Sequence, residues 1–503
     1  MNVNINETVL EDKLTQLEQV HNWSPRVISR LENMIRTADD YDLFRINPIQ
    51  YAADKRMDEQ EAIDLFLYSA KLGLFELEWH LVCSFCAHVV ESLSELSSVH
   101  SHYKCTFCQA ENDVALDDYI QVAFTISRQV RTIGFHQPEQ LPIEDYYLKY
   151  HFAKGVQPLP DGTTFAQIGK LISRYMNYVE PNERVVVETE ITPGMLQAKD
   201  LFHRASLVFF LQDAQADEVA IPIQLADGKF QATDHTPAPR EINQTVATFH
   251  YDAADELDSG KVQLEYTNMM AERSPLWIMH YPAGFEAVSL SFAPFLSGKR
   301  LLTTQTFRDL FRSQALSDNE GIAVKEITFL FTDLKGSTDM YDRIGDLNAY
   351  YLVRQHFDAL ITAITNNHGS IVKTIGDAVM ATFLTPVDAV QAALDMLEGI
   401  EAFNKTRAEP LLFLKIGIHR GASIAVTLND RLDYFGQTVN IAARIQSLAG
   451  ASEIYISHEA HSQPEVQDLL THCDVFEEQV TLKGVRNKID VCKIVLRTED
   501  GSE

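Results

Sequence analysis

The sequence lacks any long uninterrupted run of apolar residues. No stretch among its 503 residues approaches the roughly 20 apolar residues that a membrane-spanning helix requires. The N-terminus is acidic and polar, so it also lacks the basic and then apolar order of a secretory signal. Both absences favour a cytoplasmic protein that makes no membrane contact.

Basic residues are scarce relative to acidic ones. The chain has 42 Lys and Arg against 71 Asp and Glu, a formal net charge of −29. A nucleic-acid partner is therefore not expected, because binding phosphate backbones requires a basic surface. A small anionic ligand stays compatible with this charge, because local charges decide its binding. The length predicts two to four domains.

Cysteine is also rare, but its placement is informative. Four of the six cysteines form the pairs CSFC and CTFC, separated by eighteen residues. This spacing is typical of a zinc ribbon, so we expect one structural Zn²⁺ on Cys83, Cys86, Cys105 and Cys108. Four thiolates leave no open coordination position, which excludes a catalytic zinc. Redox sensing by the thiolates is the alternative.

The front of the chain divides into segments of different pattern. Residues 1–75 are predicted to be helical, and residues 76–145 hold the zinc ribbon. Residues 146–301 alternate like strands with Pro, Gly and Asp between them, which predicts a β-rich regulatory domain. Residues 302–322 contain the helical TFRDLF segment and then a polar break, and they are predicted to form a linker with a coupling helix.

The last third, residues 323–498, has the order β-α-β-β-α-β of a ferredoxin-like core, so the chain belongs to the α+β class. Its long helix, from Asp346 to about Asn367, is expected to bury one apolar stripe. The stripe consists of Leu347, Tyr350, Tyr351, Phe357, Leu360, Ile361 and Ile364.

Two aspartates stand at strand ends in this core. Asp333 closes the first strand, and Asp377 lies in the turn of the following hairpin, which should pack beside that strand. Two carboxylates with few other ligands suit Mg²⁺ or Mn²⁺, and the helix start at Gly336, Ser337 and Thr338 suits a triphosphate. Taken singly, each aspartate is better explained as an ordinary turn residue.

The sequence segments around the two aspartates favour a functional role for both. FTDLKGST, KTIGDAVMATF, IGIHRG and DYFGQTVNIAAR, in this order, resemble the conserved blocks of class III adenylate and guanylate cyclases. The resemblance covers about Val324 to Leu496. It implies that Asp333 and Asp377 hold two Mg²⁺ or Mn²⁺ ions per active site, at which a nucleoside triphosphate is cyclised.

The resemblance also implies which residues select the base. Lys373 matches the lysine that accompanies adenine selection, where guanylate cyclases usually carry glutamate. Adenine presents an acceptor at N1 and guanine an N–H donor, so a lysine donor suits adenine. Asp433 matches the second base-selecting position, although LDYFG also resembles a shortened form of a loop in which threonine or serine has that role. Asp433 would then be structural.

Three further residues match functional positions of the family. The resemblance implies that Asn440 orients the ribose, that Arg444 stabilises charge on the α-phosphate, and that Lys483 binds the terminal phosphates. Family members place the metal ligands and the remaining residues on opposite protomers. A head-to-tail homodimer with two equivalent active sites is therefore expected.

The front half resembles the uncharacterised region that precedes some bacterial cyclase domains. A regulatory role, with an unknown ligand or protein partner, follows as a hypothesis. Together these inferences predict a cytoplasmic adenylate cyclase that acts on ATP. The alternatives are a guanylate cyclase and a non-catalytic nucleotide-sensing protein.

Overall fold

The computed structural model describes most of the chain. The described residues are 4–113, 115–117, 119–192, 194–232, 240–241, 248–251, 258–284, 290–317, 320–406 and 412–497.

The N-terminal segment is helical, as its periodicity predicts. Its four helices are α1 (Glu7–Val20), α2 (Pro25–Thr37), α3 (Pro48–Lys55) and α4 (Glu59–Leu72). The side chain of Asp58 caps α4 by accepting a hydrogen bond from the Glu61 N–H. Gly73 ends this helix in the left-handed conformation, with a φ of 80°. The chain then turns directly into the first strand.

A small sheet and a hairpin follow these helices. The strands are β1 (Phe75–Val82), β2 (Val89–Leu93), β3 (His102–Lys104), β4 (Glu111–Asp113) and β5 (Ile120–Ile126). β1 lies between β2 and β5, and β3 pairs with β4. The two CxxC pairs lie at the ends of β1 and β3, which brings them together.

The middle of the chain is rich in strands, as predicted. Its elements are α5 (Ile143–Asp145), α6 (Phe165–Ile172), β6 (Ser173–Val179), β7 (Arg184–Ile191), β8 (Gly194–Asp200), β9 (Ala205–Ala226), β10 (Lys229–Ala232), β11 (Arg240–Glu241), β12 (Thr248–Tyr251), β13 (Asp258–Asn268) and β14 (Ser274–Pro282). The described strands form one nine-stranded sheet in which the long β9 pairs with four neighbours. Two short helices, α7 (Gly298–Leu302) and α8 (Gln305–Leu310), lead out of this region.

The C-terminal third has the predicted ferredoxin-like order. Its elements are β15 (Ile322–Leu334), α9 (Ser337–Ile344), α10 (Asp346–Asn366), β16 (Ser370–Ile375), β17 (Ala378–Phe383), α11 (Pro386–Lys405), β18 (Leu414–Leu428), β19 (Arg431–Phe435), α12 (Gln437–Gln446), β20 (Glu453–Ser457), α13 (His458–His461), α14 (Pro464–Leu469), β21 (Cys473–Val480) and β22 (Ile489–Leu496). The sheet order is β16-β17-β15-β18-β20-β22-β21, with β19 paired to β18. β15 therefore lies between β17 and β18.

The predicted apolar stripe of α10 is partly wrong. Leu360 and Ile364 are fully buried, but Leu347, Tyr350 and Tyr351 are 68%, 56% and 56% exposed. The helix instead buries a face that includes Ala349, Leu352, Val353 and His356. The first turns of α10 consequently carry an uncovered aromatic surface.

One continuous hydrophobic cluster joins the front of the chain to the C-terminal sheet. It extends from Leu10 in α1 through Trp79 in β1 to Phe329 and Tyr434 in the C-terminal third. Phe307 of α8 packs edge-to-face on Trp79, with ring centroids 5.9 Å apart. Helix α8 therefore lies between the small N-terminal sheet and the C-terminal core.

Candidate active site

Asp333 and Asp377 come together at one end of the C-terminal sheet. β15 carries Asp333, and its neighbour β17 follows the turn that contains Asp377. Gly376 has a φ of 63°, a left-handed conformation that glycine adopts without strain and that makes the turn tight. The pairing of β15 with β17 thus places both carboxylates at the same edge, as the sequence predicts.

The electrostatics of this edge favour a cation. Burial and the neighbouring Asp377 raise the pKa of Asp333, and Lys415 opposes them. The Lys415 ammonium lies 3.8 Å from an Asp333 carboxylate oxygen, too long for a hydrogen bond. Oδ2 of Asp377 is buried and has no hydrogen-bond partner in the described part of the chain. An orphaned carboxylate oxygen beside a second carboxylate is costly unless a cation lies there. This donor set fits Mg²⁺ or Mn²⁺.

The turn after β15 opens helix α9 beside this edge. Gly336 precedes the helix with a φ of 70°, and a Cβ built there would meet no atom within 4 Å. Ser337 is the first helical residue, so backbone N–H groups at this terminus are available to an anion. The side chain of Thr338 lies outside the described residues.

The two predicted base-selecting residues contact each other. Lys373 on β16 forms an ion pair with Oδ2 of Asp433 on β19. Asp433 is only 6% exposed, and its Oδ1 accepts a hydrogen bond of 2.8 Å from the Tyr434 N–H. The Lys373 side chain keeps 41% of its surface exposed. A fixed carboxylate therefore holds an ammonium that solvent or a ligand can still reach.

Asn440 and Arg444 lie four residues apart on α12, with Asn440 exposed and Arg444 partly buried. A Cβ at Gly484 would lie only 3.4 Å from an Arg444 guanidinium nitrogen, so this turn packs against Arg444. Lys483, the residue before that glycine, is exposed. Within the described residues, no hydrogen bond or ion pair joins these three residues to the aspartate pair.

Helix α8 contributes two contacts that the sequence does not reveal. The Gln305 side chain accepts a 2.8 Å hydrogen bond from the Ile371 N–H on β16. The Arg308 guanidinium donates a 3.2 Å hydrogen bond to the Leu432 carbonyl on β19. These two strands carry Lys373 and Asp433, so α8 contacts both strands that hold that ion pair. The FRDLF motif marks the helix, but its partners are backbone atoms and leave no pattern in the sequence.

The four cysteines of the CxxC pairs converge at a separate place. Their Sγ atoms all lie within 4.8 Å of one another, with 3.5 Å between Cys83 and Cys108 and 3.7 Å between Cys86 and Cys105. Zn–S bonds of about 2.3 Å in a tetrahedron place the sulfurs about 3.8 Å apart, whereas a disulfide is about 2 Å long. The arrangement fits a tetrathiolate zinc site. His100 and His102 instead lie beside Glu320 and Asp113, outside this cluster.

A buried lysine accompanies the cysteines. Lys199 on β8 is fully buried, and its ammonium lies 3.4 Å from the Thr106 carbonyl between the two cysteines of the second pair. Burial lowers the pKa of Lys199 to about 7, while the nearby Cys105 opposes that shift. The Lys199 side chain therefore reaches from the large sheet to the loop that holds the second cysteine pair.

Two family models match the chain. The adenylate and guanylate cyclase catalytic domain matches residues 322–494. Residues 322–494 form a class III nucleotidyl cyclase domain. A family of unknown function (DUF5939) matches residues 10–215, which include all four cysteines of the CxxC pairs. Among the described residues, no helix has the length and apolar character needed to cross a bilayer.

Two curated relatives each match less than a third of this chain. Adenylate cyclase 2 of Rhizobium meliloti (strain 1021) is 31% identical over 153 residues, which are 28% of this chain and 42% of that protein. The adenylate cyclase of Anabaena cylindrica is 31% identical over 139 residues, 25% of this chain and 28% of that protein. The match thus spans less than half of either relative. The adenylyl cyclase CyaB from P. aeruginosa is a solved structure with 23% identity and a TM-score of 0.32, and the match covers 36% of this chain and all of that one.

Proposed function

We propose that this chain is an adenylate cyclase that converts ATP into 3′,5′-cyclic AMP and pyrophosphate. The observation that carries the proposal is the pair of carboxylates, Asp333 and Asp377, at one sheet edge of a cyclase domain, with a buried carboxylate oxygen that has no protein partner in the described residues. In the reaction, the ribose 3′ oxygen forms a bond to the α-phosphorus, the bond to the β-phosphate oxygen breaks, and the hydroxyl proton is released.

Asp333 and Asp377 would hold two divalent cations, Mg²⁺ or Mn²⁺. Such ions supply Lewis-acid chemistry to the ribose hydroxyl and to the triphosphate when they are bound. The raised pKa of Asp333 and the unpartnered oxygen of Asp377 both support this role, because a cation would relieve each of them.

The other chain residues bind and orient the nucleotide. The start of α9, at Gly336, Ser337 and Thr338, would offer backbone N–H groups to phosphate oxygens. Arg444 would stabilise negative charge that develops on the α-phosphate. Lys483, on the turn that packs against Arg444, would bind the terminal phosphates. Asn440, which lies on the same face of α12 as Arg444, would orient the ribose.

The Lys373–Asp433 ion pair supports the choice of ATP. Lys373 can donate to the adenine N1 acceptor, and Asp433 can accept from the adenine amino group. Because Asp433 is buried and also accepts from the Tyr434 N–H, its position is fixed before the base arrives. A guanylate cyclase would need an acceptor in the place of Lys373, which this chain does not have.

We further propose that two chains form a homodimer. Four apolar side chains, Ile375, Ile424, Leu428 and Phe435, are each at least 41% exposed, and Ile424 and Phe435 are cross-strand partners. They lie on the strands β16, β18 and β19, which carry or flank the Lys373–Asp433 pair. A second copy would cover these side chains and could supply the residues that the aspartate pair lacks within its own chain.

The front half would be regulatory, with one structural Zn²⁺ on Cys83, Cys86, Cys105 and Cys108. The front half contacts the catalytic domain directly, because the segment after the second cysteine pair is hydrogen-bonded to β15. The Leu116 N–H donates to the Ala323 carbonyl at 3.0 Å, and Asp117 accepts from the Lys325 N–H at 2.7 Å. A change in the ribbon would therefore reach the strand that carries Asp333.

The proposal is tested with purified protein, Mn²⁺ and ATP. We expect cyclic AMP and pyrophosphate in equal amounts, and loss of at least about 100-fold in rate for Asp377→Asn. Asp358→Asn, an exposed aspartate on α10, is the matched control and should keep the wild-type rate. ATP binding without either product would favour the non-catalytic nucleotide sensor instead.

A further inference from the structure

An apolar cavity of about 370 Å³ lies between the zinc ribbon and the nine-stranded sheet. Its size is within the range of small-molecule sites in proteins. The ribbon contributes Phe107 and the cysteines Cys86 and Cys108 to one wall, and α6 contributes Ile168. Strands β8, β9 and β14 form the opposite wall. The cavity therefore lies within the front half of the chain, and among the described residues no candidate nucleotide-binding residue lines it.

Aromatic rings dominate the walls. Phe107 and Phe152 meet edge-to-face with centroids 5.0 Å apart, and Phe152 lies 4.7 Å from Phe165. Trp277 completes this group, 5.7 Å from Phe107, and its indole N–H is already satisfied by the Ser173 hydroxyl. Such walls favour a ligand with aromatic or flat apolar surface.

One polar side chain in the cavity has no partner. Gln197 on β8 is only 6% exposed and lines the cavity, yet its amide makes no hydrogen bond to any residue in the described part of the chain. The carbonyl and amino groups of Gln197 can satisfy one donor or one acceptor of a ligand.

The walls also lack charge. Among the described residues that line the cavity, none is Asp, Glu, Lys or Arg. Lys199 lies two residues beyond Gln197 on the same strand, but its ammonium is directed to the Thr106 carbonyl of the ribbon. A carboxylate or phosphate in the cavity would therefore be desolvated without a counter-charge, which is strongly unfavourable.

We propose that this cavity binds an uncharged, largely aromatic small molecule whose single hydrogen-bonding group meets Gln197. Such a ligand would contact two zinc-ligating cysteines of the ribbon. It would thus bind at the joint between the ribbon and the large sheet.

The test uses N-phenyl-1-naphthylamine, an uncharged aromatic amine whose fluorescence rises in apolar surroundings. We expect saturable binding of one molecule per chain, with energy transfer from tryptophan that falls in Trp277→Phe. Gln197→Leu should weaken binding by about tenfold, because it removes one hydrogen bond, without lowering the melting temperature. Ile168→Phe should abolish binding by filling the cavity.

Leu171→Phe is the matched control for Ile168→Phe, the variant that fills the cavity. Leu171 is on the same helix and 72% exposed, so this variant should bind like wild type. Zinc content and melting temperature of every variant show that it is folded. Laurate should not displace the probe.

Absence of saturable binding, or equal binding in wild type, Gln197→Leu and Ile168→Phe, would overturn the proposal. Displacement by laurate would replace it with a fatty-acid site. Neither readout depends on cyclase activity, so these outcomes are distinguishable from failure of the proposed enzymatic function.

Discussion

Lys373 and Asp433 form an ion pair that joins β16 to β19 at the end of the cyclase sheet. The two residues are sixty positions apart in sequence. Asp433 is almost fully buried, whereas the lysine remains reachable. The lysine is thus the reachable half of the pair, and we propose that it donates to the adenine N1 acceptor while Asp433 accepts from the adenine amino group.

Reversing this pattern should reverse the base preference. In Lys373→Glu with Asp433→Asn, a carboxylate can accept from the guanine N1–H, and an amide can donate to the guanine O6. We expect the ratio of kcat/KM for ATP to that for GTP to fall by at least about 100-fold, as two specific hydrogen bonds are exchanged. Competing-substrate assays measure this ratio. Lys405→Gln, at an exposed lysine, changes the net charge by the same amount and is the control, and an unchanged ratio in the double variant would refute the base-reading role.

The ionised Asp333 carboxylate should slightly lower the stability of the folded protein when no divalent cation is bound. Its pKa is raised in the folded protein, so the folded state holds this proton more tightly than the unfolded state. The stability contribution of this group therefore falls as pH rises above the ordinary value of 3.8. We expect Asp333→Asn to unfold at a higher temperature than wild type at pH 7–8, with the difference vanishing near pH 3–4.

The same variant should lose activity and its stabilisation by Mn²⁺. Melting curves with and without Mn²⁺ measure the second effect, because a ligand that binds the folded state raises its stability. A lower melting temperature of Asp333→Asn at neutral pH without Mn²⁺ would mean that this carboxylate has a structural role.

Arg308 is expected to position the base-reading strand from outside the site. Its guanidinium donates to the Leu432 carbonyl, next to Asp433, and lies 5.7 Å from the Tyr434 ring. Arg308→Ala should raise KM for ATP by about 3- to 10-fold and reduce ATP-over-GTP selectivity, with a smaller effect on kcat. Arg312→Ala is the control, since its side chain is 77% exposed. A fall in melting temperature with unchanged selectivity would indicate that Arg308 only stabilises the fold.

Zinc analysis should find one Zn²⁺ per chain in the purified protein. Cys108→Ser should lose that zinc, and its melting temperature should drop by at least about 5 °C, because structural zinc contributes folding free energy directly. Cys473→Ala, at a cysteine outside the cluster, should retain the metal. Wild-type protein purified without zinc, with four reactive thiols per cluster, would favour the redox-sensing alternative.

Mixing two inactive variants should restore activity if the sites are shared between chains. Asp333→Ala lacks a metal ligand, and Arg444→Ala lacks the cation for the α-phosphate. A mixed dimer then contains one intact site of two. Because random exchange makes about half of all dimers mixed, the mixture should recover about a quarter of the wild-type activity. Light scattering and tagged-chain capture establish that mixed dimers have formed. Mixed dimers without activity would contradict the shared-site arrangement.

The sequence was most informative where chemistry and local geometry coincide. The Gly376–Asp377 turn was predictable because a glycine between two short apolar strands indicates a tight hairpin. The pairing of β17 with β15 followed from the order of the elements. The cysteine pairs were predictable for the same reason, because a fixed spacing suffices to close a metal site.

Other features depended on packing that no local pattern records. The exposed start of α10 was mispredicted because Leu347, Tyr350 and Tyr351 have helical spacing, but the sheet covers a neighbouring face instead. The contacts of Gln305 and Arg308 reach backbone atoms, which any sequence provides. The apolar cavity arises between elements more than a hundred residues apart, so it too required the tertiary structure.

The most direct measurement presents equimolar ATP and GTP to the purified protein with Mn²⁺ and quantifies both cyclic products. The account predicts cyclic AMP in at least about tenfold excess over cyclic GMP, because Lys373 and Asp433 complement adenine. Predominant cyclic GMP would contradict the base assignment. No cyclic product from a dimer confirmed by light scattering would contradict the enzymatic claim itself.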